Sequence, residues 1–396
     1  MRSKSKKPDT IFAHAGRAPE KNHGVVNPPV YHASTILHPN IEHLEATDDH
    51  RYDDTVYGRY GTPTQFALEE AMAMAEGGAR AIAFCSGAAS CFAALLAYLQ
   101  AGDHALVVDS VYGPVRNFCT GFLKRFGVTI EFYDPMIGAG IEALIRSETK
   151  LIYLESPGSL TFEVQDVPAI VKIAKARGIA TILDNTWSSP LFFKPLALGV
   201  DVSVVAGTKY VVGHSDAMMG IAICTAESFT PVRRAATHMG NHAAPDDSYL
   251  ALRGFRTAGV RLRQHESQAL ALAHWLKARP EVARVLHPAF PDCPGHEFWK
   301  RDFTGSSGLF SIVMQKDIPK PAIDALLNDM ELFGLGYSWG GFESLIVPGH
   351  VEKLRTAKPW AEGSLLRLHA GLEDIDDLIA DLDRGFTRLN RARASA

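Results

Sequence analysis

Two residues with chemically useful side chains each follow an apolar run of the kind found in buried strands. Lys209 comes shortly after the β-branched run Val202–Val205, and Asp184 closes the apolar run that begins at Thr181. A single lysine in such a position is most often a surface residue with a buried stem. In an α/β sheet, however, strand ends that share an edge form the crevice where ligands bind. The pair therefore predicts a ligand site that contains both an amine and a carboxylate.

This pair of groups suits pyridoxal phosphate, because a lysine can bind that cofactor as a Schiff base and a carboxylate can pair with its pyridine nitrogen. The small residues of Ser86–Ser90 join a predicted strand to a predicted helix. Backbone N–H groups and the helix dipole attract a phosphate in such a turn, although the same composition also fits a turn that binds nothing. Neither a GxxxxGK[ST] loop nor a GxGxxG fingerprint competes for this interpretation.

Four further side chains complete the inventory of one site. Tyr112 follows the next predicted strand, where an aromatic ring can stack on a flat cofactor or simply join the core. Tyr57 and Arg59 lie in an extended segment, and an arginine there suits phosphate binding or is merely solvated. Arg367 lies inside an apolar strand, where an unpaired charge is costly. It therefore predicts a carboxylate partner, either in the protein or in an amino-acid substrate.

The composition excludes several classes of protein. Of the 396 residues 21% are charged and the net charge is −4, which gives no case for nucleic acid or an anionic membrane as a partner. No apolar run is long enough to span a membrane, and the basic first ten residues predict a frayed tail rather than a secretory signal. Five scattered cysteines without a CxxC motif predict a cytoplasmic protein with neither disulfides nor a metal site.

The elements that position these residues alternate in type from residue 80 to residue 224. Apolar strands separated by helices, among them helices over 91–100 and 141–148, predict a mostly parallel sheet covered by helices. A long helix over 249–278 then leads to shorter strands and helices, which predict a smaller α+β domain. We expect an N-terminal arm (1–60) that contacts a neighbouring subunit, a large cofactor-binding domain (61–250) and a smaller C-terminal domain (251–396).

The run from Asp184 to Gly220 closely resembles the signature of the Cys/Met-metabolism group of fold-type I pyridoxal phosphate enzymes. The resemblance covers nearly the whole chain and includes the motifs YGRYGTPT, SGAAS, ESPGS, GHSD, RLRQHE and RLHAGLE. The segments GHEFWKRDFTGSSGLFSIV and YSWGGFESLI resemble the bacterial cystathionine β-lyase branch of the group. Trp339 is the sharpest clue, since the γ-acting branches usually carry Leu in that motif.

The resemblance implies a role for each candidate residue. Lys209 would bind the cofactor and act as the catalytic base, Asp184 would pair with its ring nitrogen, and Tyr112 would stack on the ring and take part in catalysis. The phosphate would be held by residues from two subunits of a homotetramer built as a dimer of dimers, with shared active sites: Gly87, Ala88 and Thr208 from one, Tyr57 and Arg59 from the other. The substrate would be bound by Arg367, Ser338, Trp339 and Tyr57.

The implied reaction is the β-elimination of L-cystathionine to homocysteine, pyruvate and ammonia. A γ-synthase, a γ-lyase or a broader cysteine S-conjugate β-lyase would use the same cofactor residues, so these remain open. A non-catalytic sheet protein, with Lys209 and Asp184 as an ordinary ion pair, is the alternative from another class. Three positions depart from the pattern of the group and bear on the phosphate or on the distal end of the substrate: Ala206, Tyr60 and Asn117.

Overall fold

The computed structural model of the chain describes residues 6–395, apart from the side chains of residues 48 and 49. A seven-stranded sheet dominates the first two thirds of the chain. Its strands are β1 Arg80–Phe84, β2 His104–Val108, β3 Thr129–Tyr133, β4 Thr149–Glu155, β5 Ala180–Asp184, β6 Val202–Val205 and β7 Gly220–Cys224. Their order in the sheet is β1-β7-β6-β5-β4-β2-β3, and β7 runs in the direction opposite to the other six strands. The predicted mostly parallel sheet is confirmed.

Two separate hydrophobic cores cover the two faces of this sheet. Alternate side chains of β1 enter different cores, with Ile82 and Phe84 in one and Ala81 and Ala83 in the other. Side chains of successive strand residues point to opposite faces, so both faces of the sheet are buried.

Twelve α-helices surround the sheets in the described part of the chain. They are α1 Pro8–His14, α2 Ile41–His50, α3 Pro63–Glu76, α4 Gly87–Leu96, α5 Gly113–Asn117, α6 Val167–Ala176, α7 Ser189–Phe192, α8 Ala226–His238, α9 Pro245–Lys277, α10 His296–Asp302, α11 Lys320–Leu327 and α12 Ile375–Ala394. A π-helical turn at Phe118–Leu123 extends α5. None of the helices described is long and apolar enough to cross a membrane.

A smaller antiparallel sheet follows the long helix α9. Its strands are β8 Val282–Leu286, β9 Leu309–Met314, β10 Leu345–Gly349 and β11 Leu365–His369, in the order β10-β11-β9-β8. Helices α11 and α12 pack against each other, and Phe310, Phe333 and Phe386 are fully buried in the core of this unit. The helix α9 contacts α1 and α3 at one end and β8, β9 and α12 at the other, and thereby joins the two sheets.

Several local predictions differ from the structure. The α-helix predicted over 141–148 is wrong: a 3₁₀ helix occupies Gly138–Leu144, and two of its first three residues are glycines, which disfavour a longer α-helix. The helix predicted over 91–100 begins earlier, at Gly87, because the Ser86 side chain accepts a hydrogen bond of 3.2 Å from Ala89 N and caps it. The frayed tail predicted over the first ten residues is wrong for residues 8–10, because α1 begins at Pro8. Residues 1–5 lie outside the described residues.

Candidate active site

One large cavity opens at the carboxyl ends of the parallel strands, with an empty volume of about 1000 Å³ that includes space open to solvent. Polar residues come to it from the turn after β1, from the ends of β4 and β5, from the loop after β6 and from β11. The predicted site residues that line it are Gly87, Ala88, Tyr112, Asp184, Thr208, Lys209, Trp339 and Arg367. Strand ends of one sheet edge therefore converge with a strand of the smaller sheet on a single cavity.

The Lys209 amine lies between the two sheets. Its Nζ donates a hydrogen bond of 2.5 Å to Ser338 Oγ and lies 5.4 Å from the centroid of the Trp339 ring. Burial, and next the positive charge of Arg367, lower the pKa of Lys209 to about 8, although Asp184 opposes the shift. An amine with a pKa this close to neutrality can serve as a nucleophile or a base.

Asp184 is a buried carboxylate whose two oxygens have different surroundings. Its Oδ1 accepts hydrogen bonds from Thr186 N at 2.9 Å and Thr186 Oγ1 at 2.5 Å, whereas Oδ2 lies 3.9 Å from the Cys91 thiol. Burial raises the pKa of Asp184, and the Thr186 bonds and Lys209 counteract it. A buried carboxylate with one weakly bonded oxygen fits the protonated ring nitrogen of a cofactor, because a cation there would offset its desolvation.

The turn before α4 is shaped for close approach of an anion. Gly87 and Ala88 are the first two residues of α4, whose first N–H groups have no partner within the helix. A Cβ on Gly87 would lie 2.5 Å from the Ala206 Cβ, so only glycine fits beside the chain that follows β6. A phosphate group fits this turn.

The Thr208 hydroxyl, whose role in binding a phosphate stays a prediction, is bonded within the protein. Its Oγ1 accepts a hydrogen bond of 2.9 Å from Met219 N and donates one of 3.1 Å to Met219 O. The hydroxyl is therefore already engaged. Ala206 has no hydroxyl to replace it, and its backbone N donates to Thr186 Oγ1 at 2.9 Å.

Glu155 lines the cavity but was not predicted. It ends β4, it is 9% exposed, and its Oε2 accepts a hydrogen bond of 2.6 Å from Tyr112 N. Burial and the nearby Asp184 carboxylate hold its pKa well above the usual range. Its sequence signal is the one used for Asp184, an apolar strand closed by a carboxylate, so the same pattern could have found it. Glu155 fixes the backbone from which the half-exposed Tyr112 ring reaches into the cavity.

Arg367 faces the same cavity from β11. Its Nη2 donates a hydrogen bond of 3.0 Å to Ser338 O, and burial lowers its pKa to about 10 while Tyr112 opposes the shift. The ion pairs found among residues 6–395 do not include Arg367. The carboxylate that the sequence led us to expect is thus absent from the described protein groups, which leaves the guanidinium available to an acidic ligand.

Tyr57 and Arg59 do not reach this cavity within the same chain. Both are exposed, Arg59 Nη1 donates to Thr237 O at 3.1 Å, and the guanidinium lies 4.7 Å from the centroid of the Tyr60 ring. Asn117 is also exposed, at the end of α5. The phosphate role of Tyr57 and Arg59 stays a prediction that needs a second copy of the chain.

The sequence and the fold are similar to those of known proteins along nearly their whole length. A family model described as "Cys/Met metabolism PLP-dependent enzyme" matches residues 9–387. The chain is 49% identical to a putative cystathionine beta-lyase of Rhizobium johnstonii over 96% of its length and 95% of the relative. It is 46% identical to the cystathionine beta-lyase MetC of Escherichia coli strain K12, over 97% of this chain and 99% of the relative.

A solved structure is similar as well. It is a cystathionine gamma synthase from Xanthomonas oryzae pv. oryzae in complex with aminoacrylate and cysteine, with a TM-score of 0.90 and 29% identity over 98% of this chain and 100% of that one.

Proposed function

The chain belongs to the family of Cys/Met metabolism enzymes that depend on pyridoxal phosphate, with the fold of fold-type I members, and on that basis we propose that it is a carbon–sulfur lyase. Its reaction would be the β-elimination of L-cystathionine to homocysteine, pyruvate and ammonia. One observation carries the proposal: a lysine of lowered pKa, a buried carboxylate and an arginine that has no acidic partner among the described residues meet in one cavity. The similarity to cystathionine beta-lyases at 46–49% identity supports this choice of substrate.

The cavity has a place for each part of the cofactor. Lys209 would hold its aldehyde carbon until the amine of the substrate takes that place and leaves the Lys209 amine free. Asp184 would hold its ring nitrogen, the start of α4 its phosphate and Tyr112 one face of its ring. When bound, pyridoxal phosphate supplies an acceptor for the electrons released as the Cα–H bond breaks. Asp184 supports that chemistry because a carboxylate beside the ring nitrogen keeps a proton on it.

Different residues of the chain bind the substrate and transfer protons. Arg367, together with the backbone at Ser338 and Trp339, binds the substrate carboxylate and so fixes which Cα bond faces Lys209. The neutral amine of Lys209 takes the Cα proton, and the resulting ammonium can donate a proton to the departing sulfur of homocysteine. The hydrogen bond from Nζ to Ser338 Oγ keeps the amine in place between these two transfers.

A γ-lyase or γ-synthase is the closest alternative, since the similar solved structure is a γ-synthase. The feature that favours β-elimination here is Trp339 itself, because the motif that carries it resembles the β-lyase branch of the family; its ring centroid lies 5.4 Å from Lys209 Nζ. The test is to incubate the purified protein, loaded with pyridoxal phosphate, with L-cystathionine and to identify the keto acid by mass spectrometry. Pyruvate supports the proposal. 2-Oxobutyrate, or no keto acid, contradicts it, and parallel assays with cystine and other cysteine S-conjugates define the substrate range.

We also propose a homotetramer, a dimer of dimers, that works in the cytoplasm. Tyr57 and Arg59 lie outside the cavity of their own chain, and the segment that carries them exposes apolar side chains. These are Val25, Val26, Leu37, Ile41 and Leu44. The proposed compartment rests on the sequence, whose five scattered cysteines form no CxxC motif. Analytical ultracentrifugation tests the tetramer, and a monomer in solution would contradict it.

A further inference from the structure

Two buried histidines that do not line the cavity pack against Tyr210, the residue after Lys209. His265 comes from α9 and His369 ends β11, and both rings are at most 1% exposed. Their centroids are 5.1 Å apart, and the Tyr210 ring packs against both, at 5.4 Å from His265 and 6.0 Å from His369. Tyr210 also packs on Trp339 at 5.4 Å. Tyr210, which follows Lys209 in the chain, therefore joins the two histidines to the loop that carries Trp339.

The histidine rings are held by backbone groups rather than by acids. His265 Nδ1 lies 2.8 Å from the carbonyl oxygen of Ala370, which can only accept, so this nitrogen carries the proton. His369 Nε2 lies 3.1 Å from Gly340 N and 3.2 Å from Gly341 O. The Gly340 N–H can only donate and the Gly341 carbonyl can only accept, so Nε2 makes one of these two bonds in each neutral tautomer, and both partners lie in the same loop. Burial holds the pKa of His265 at about 4 and that of His369 at about 3, which keeps both rings neutral.

The loop from Ser338 to Gly341 needs such support. Ser338 and Gly340 both have left-handed backbone conformations, with φ of 77° and 86°, and this conformation is unfavourable for serine. The loop also lies directly on the lysine, since a Cβ on Gly340 would be 3.0 Å from the Cα of Lys209. Any shift of the loop therefore changes the surroundings of the Lys209 amine.

One strand holds this loop on both sides of Trp339. Arg367 and His369 are two residues apart on β11, so their side chains leave the same face. Arg367 binds Ser338 O, in the peptide before Trp339, and His369 contacts Gly340 N, in the peptide after it. The backbone on both sides of Trp339 is thus bound to the smaller sheet, which fixes the position of the indole.

We propose that His369 is a positioning residue that, together with Arg367, fixes the Ser338–Gly341 loop and so sets the places of Trp339 and Ser338 at Lys209. The consequence for catalysis rests on the proposed carbon–sulfur lyase function. His369 contacts neither substrate nor cofactor in this account and acts only through the loop.

The test compares His369→Leu with His369→Gln in full-length protein loaded with pyridoxal phosphate. Leucine removes the contact with Gly340 N, whereas the terminal amide of glutamine can accept from an N–H or donate to a carbonyl. Leu368→Val is the matched control, because Leu368 is the adjacent buried residue on the opposite face of β11. Hydrogen exchange of residues 338–342, followed by mass spectrometry, reads the loop without any reference to activity.

We expect exchange of 338–342 to be about tenfold faster in His369→Leu, and kcat/KM for cystathionine to be about tenfold lower, the size of effect expected from one lost hydrogen bond. His369→Gln should restore both, and Leu368→Val should change neither. Unchanged exchange in His369→Leu, or fast exchange with unchanged kcat/KM, would overturn the proposal. If His369→Leu increases exchange throughout the smaller sheet, the result for His369→Gln is used instead. Slow exchange of residues 338–342 in His369→Gln supports the proposal, and fast exchange there overturns it.

Failure of the lyase proposal gives a different result. A wild-type protein that does not cleave cystathionine, yet shows this pattern of exchange, retains the positioning role of His369 and loses only the assigned reaction.

Discussion

The amine of Lys209 and the hydroxyl of Ser338 lie 2.5 Å apart although the two residues are 129 positions apart in the chain. Lys209 follows a strand of the seven-stranded sheet, and Ser338 precedes a strand of the four-stranded sheet. The environment that lowers the pKa of the lysine is therefore assembled only when the smaller sheet packs on the larger one. The smaller sheet also supplies Arg367, the second cause of that shift.

The first prediction concerns the titration of Lys209 in the cofactor-free protein. A brief pulse of acetic anhydride at a series of pH values, read by mass spectrometry of the peptide that contains Lys209, gives the neutral fraction of the amine. We expect a midpoint at a pH of about 8, and a higher one in Arg367→Leu because a repelling cation has been removed. A midpoint close to the ordinary value of 10.5 would contradict this account of the site.

The lowered pKa of Lys209 also makes the free energy of unfolding of the cofactor-free protein depend on pH. The folded pKa of Lys209 is below the ordinary value, so between a pH of about 8 and 10.5 the unfolded chain binds more protons than the folded one. The contribution of this group to the free energy of unfolding of the cofactor-free protein therefore rises with pH across that range. Lys209→Met should show a smaller rise in urea unfolding experiments, and an equal rise in both proteins would contradict the prediction.

Arg367→Ala should raise KM for cystathionine at least about tenfold, because a charged hydrogen bond to the substrate carboxylate is lost. Arg367→Lys should recover only part of the loss, since an ammonium keeps the charge but not the bidentate geometry. Steady-state kinetics measure both. Arg284→Ala is the control, because that arginine pairs with Glu362 away from the cavity. Unchanged KM in both Arg367 variants would make Arg367 a purely structural residue.

The sequence predicted the sites at strand ends because each depends on a short local pattern. An apolar run closed by a polar residue identifies Asp184, and the same pattern identifies Glu155, which the prediction overlooked. The contacts made by Ser338 and His369 could not be predicted in this way. They join segments distant in sequence, and only the packing of one sheet on the other brings them together.

Trp339→Leu should lower pyruvate formation from cystathionine by about tenfold or shift the product towards 2-oxobutyrate, because the ring that packs against the Lys209 amine is lost. Separation of the two keto acids by chromatography measures the ratio. Trp275→Leu is a suitable control, since Trp275 packs on Phe386 of α12 and does not line the cavity. Wild-type rate and product ratio in Trp339→Leu would remove this residue from the specificity argument.

Arg59 offers a test of whether active sites are shared between subunits. Lys209→Ala and Arg59→Ala, each deficient alone, should complement each other when they are unfolded and refolded as an equal mixture. Roughly a quarter of the sites should then combine an intact Lys209 with an intact Arg59 from the neighbouring chain. Activity well above the sum of the separate variants supports the shared site. Activity equal to that sum, with hybrids shown to form by mass spectrometry, would mean that Arg59 acts within its own chain.

The central claim is that Lys209 both binds the cofactor and performs the proton transfers. The most direct measurement is the visible absorption of bound pyridoxal phosphate together with pyruvate release in Lys209→Ala, with the exposed Lys150→Ala as control. We predict that Lys209→Ala folds normally by circular dichroism, loses the absorption band of the covalently bound cofactor and forms no pyruvate, while Lys150→Ala is unchanged. A Lys209→Ala protein that keeps the band and the turnover would contradict the account, because another lysine would then carry the cofactor.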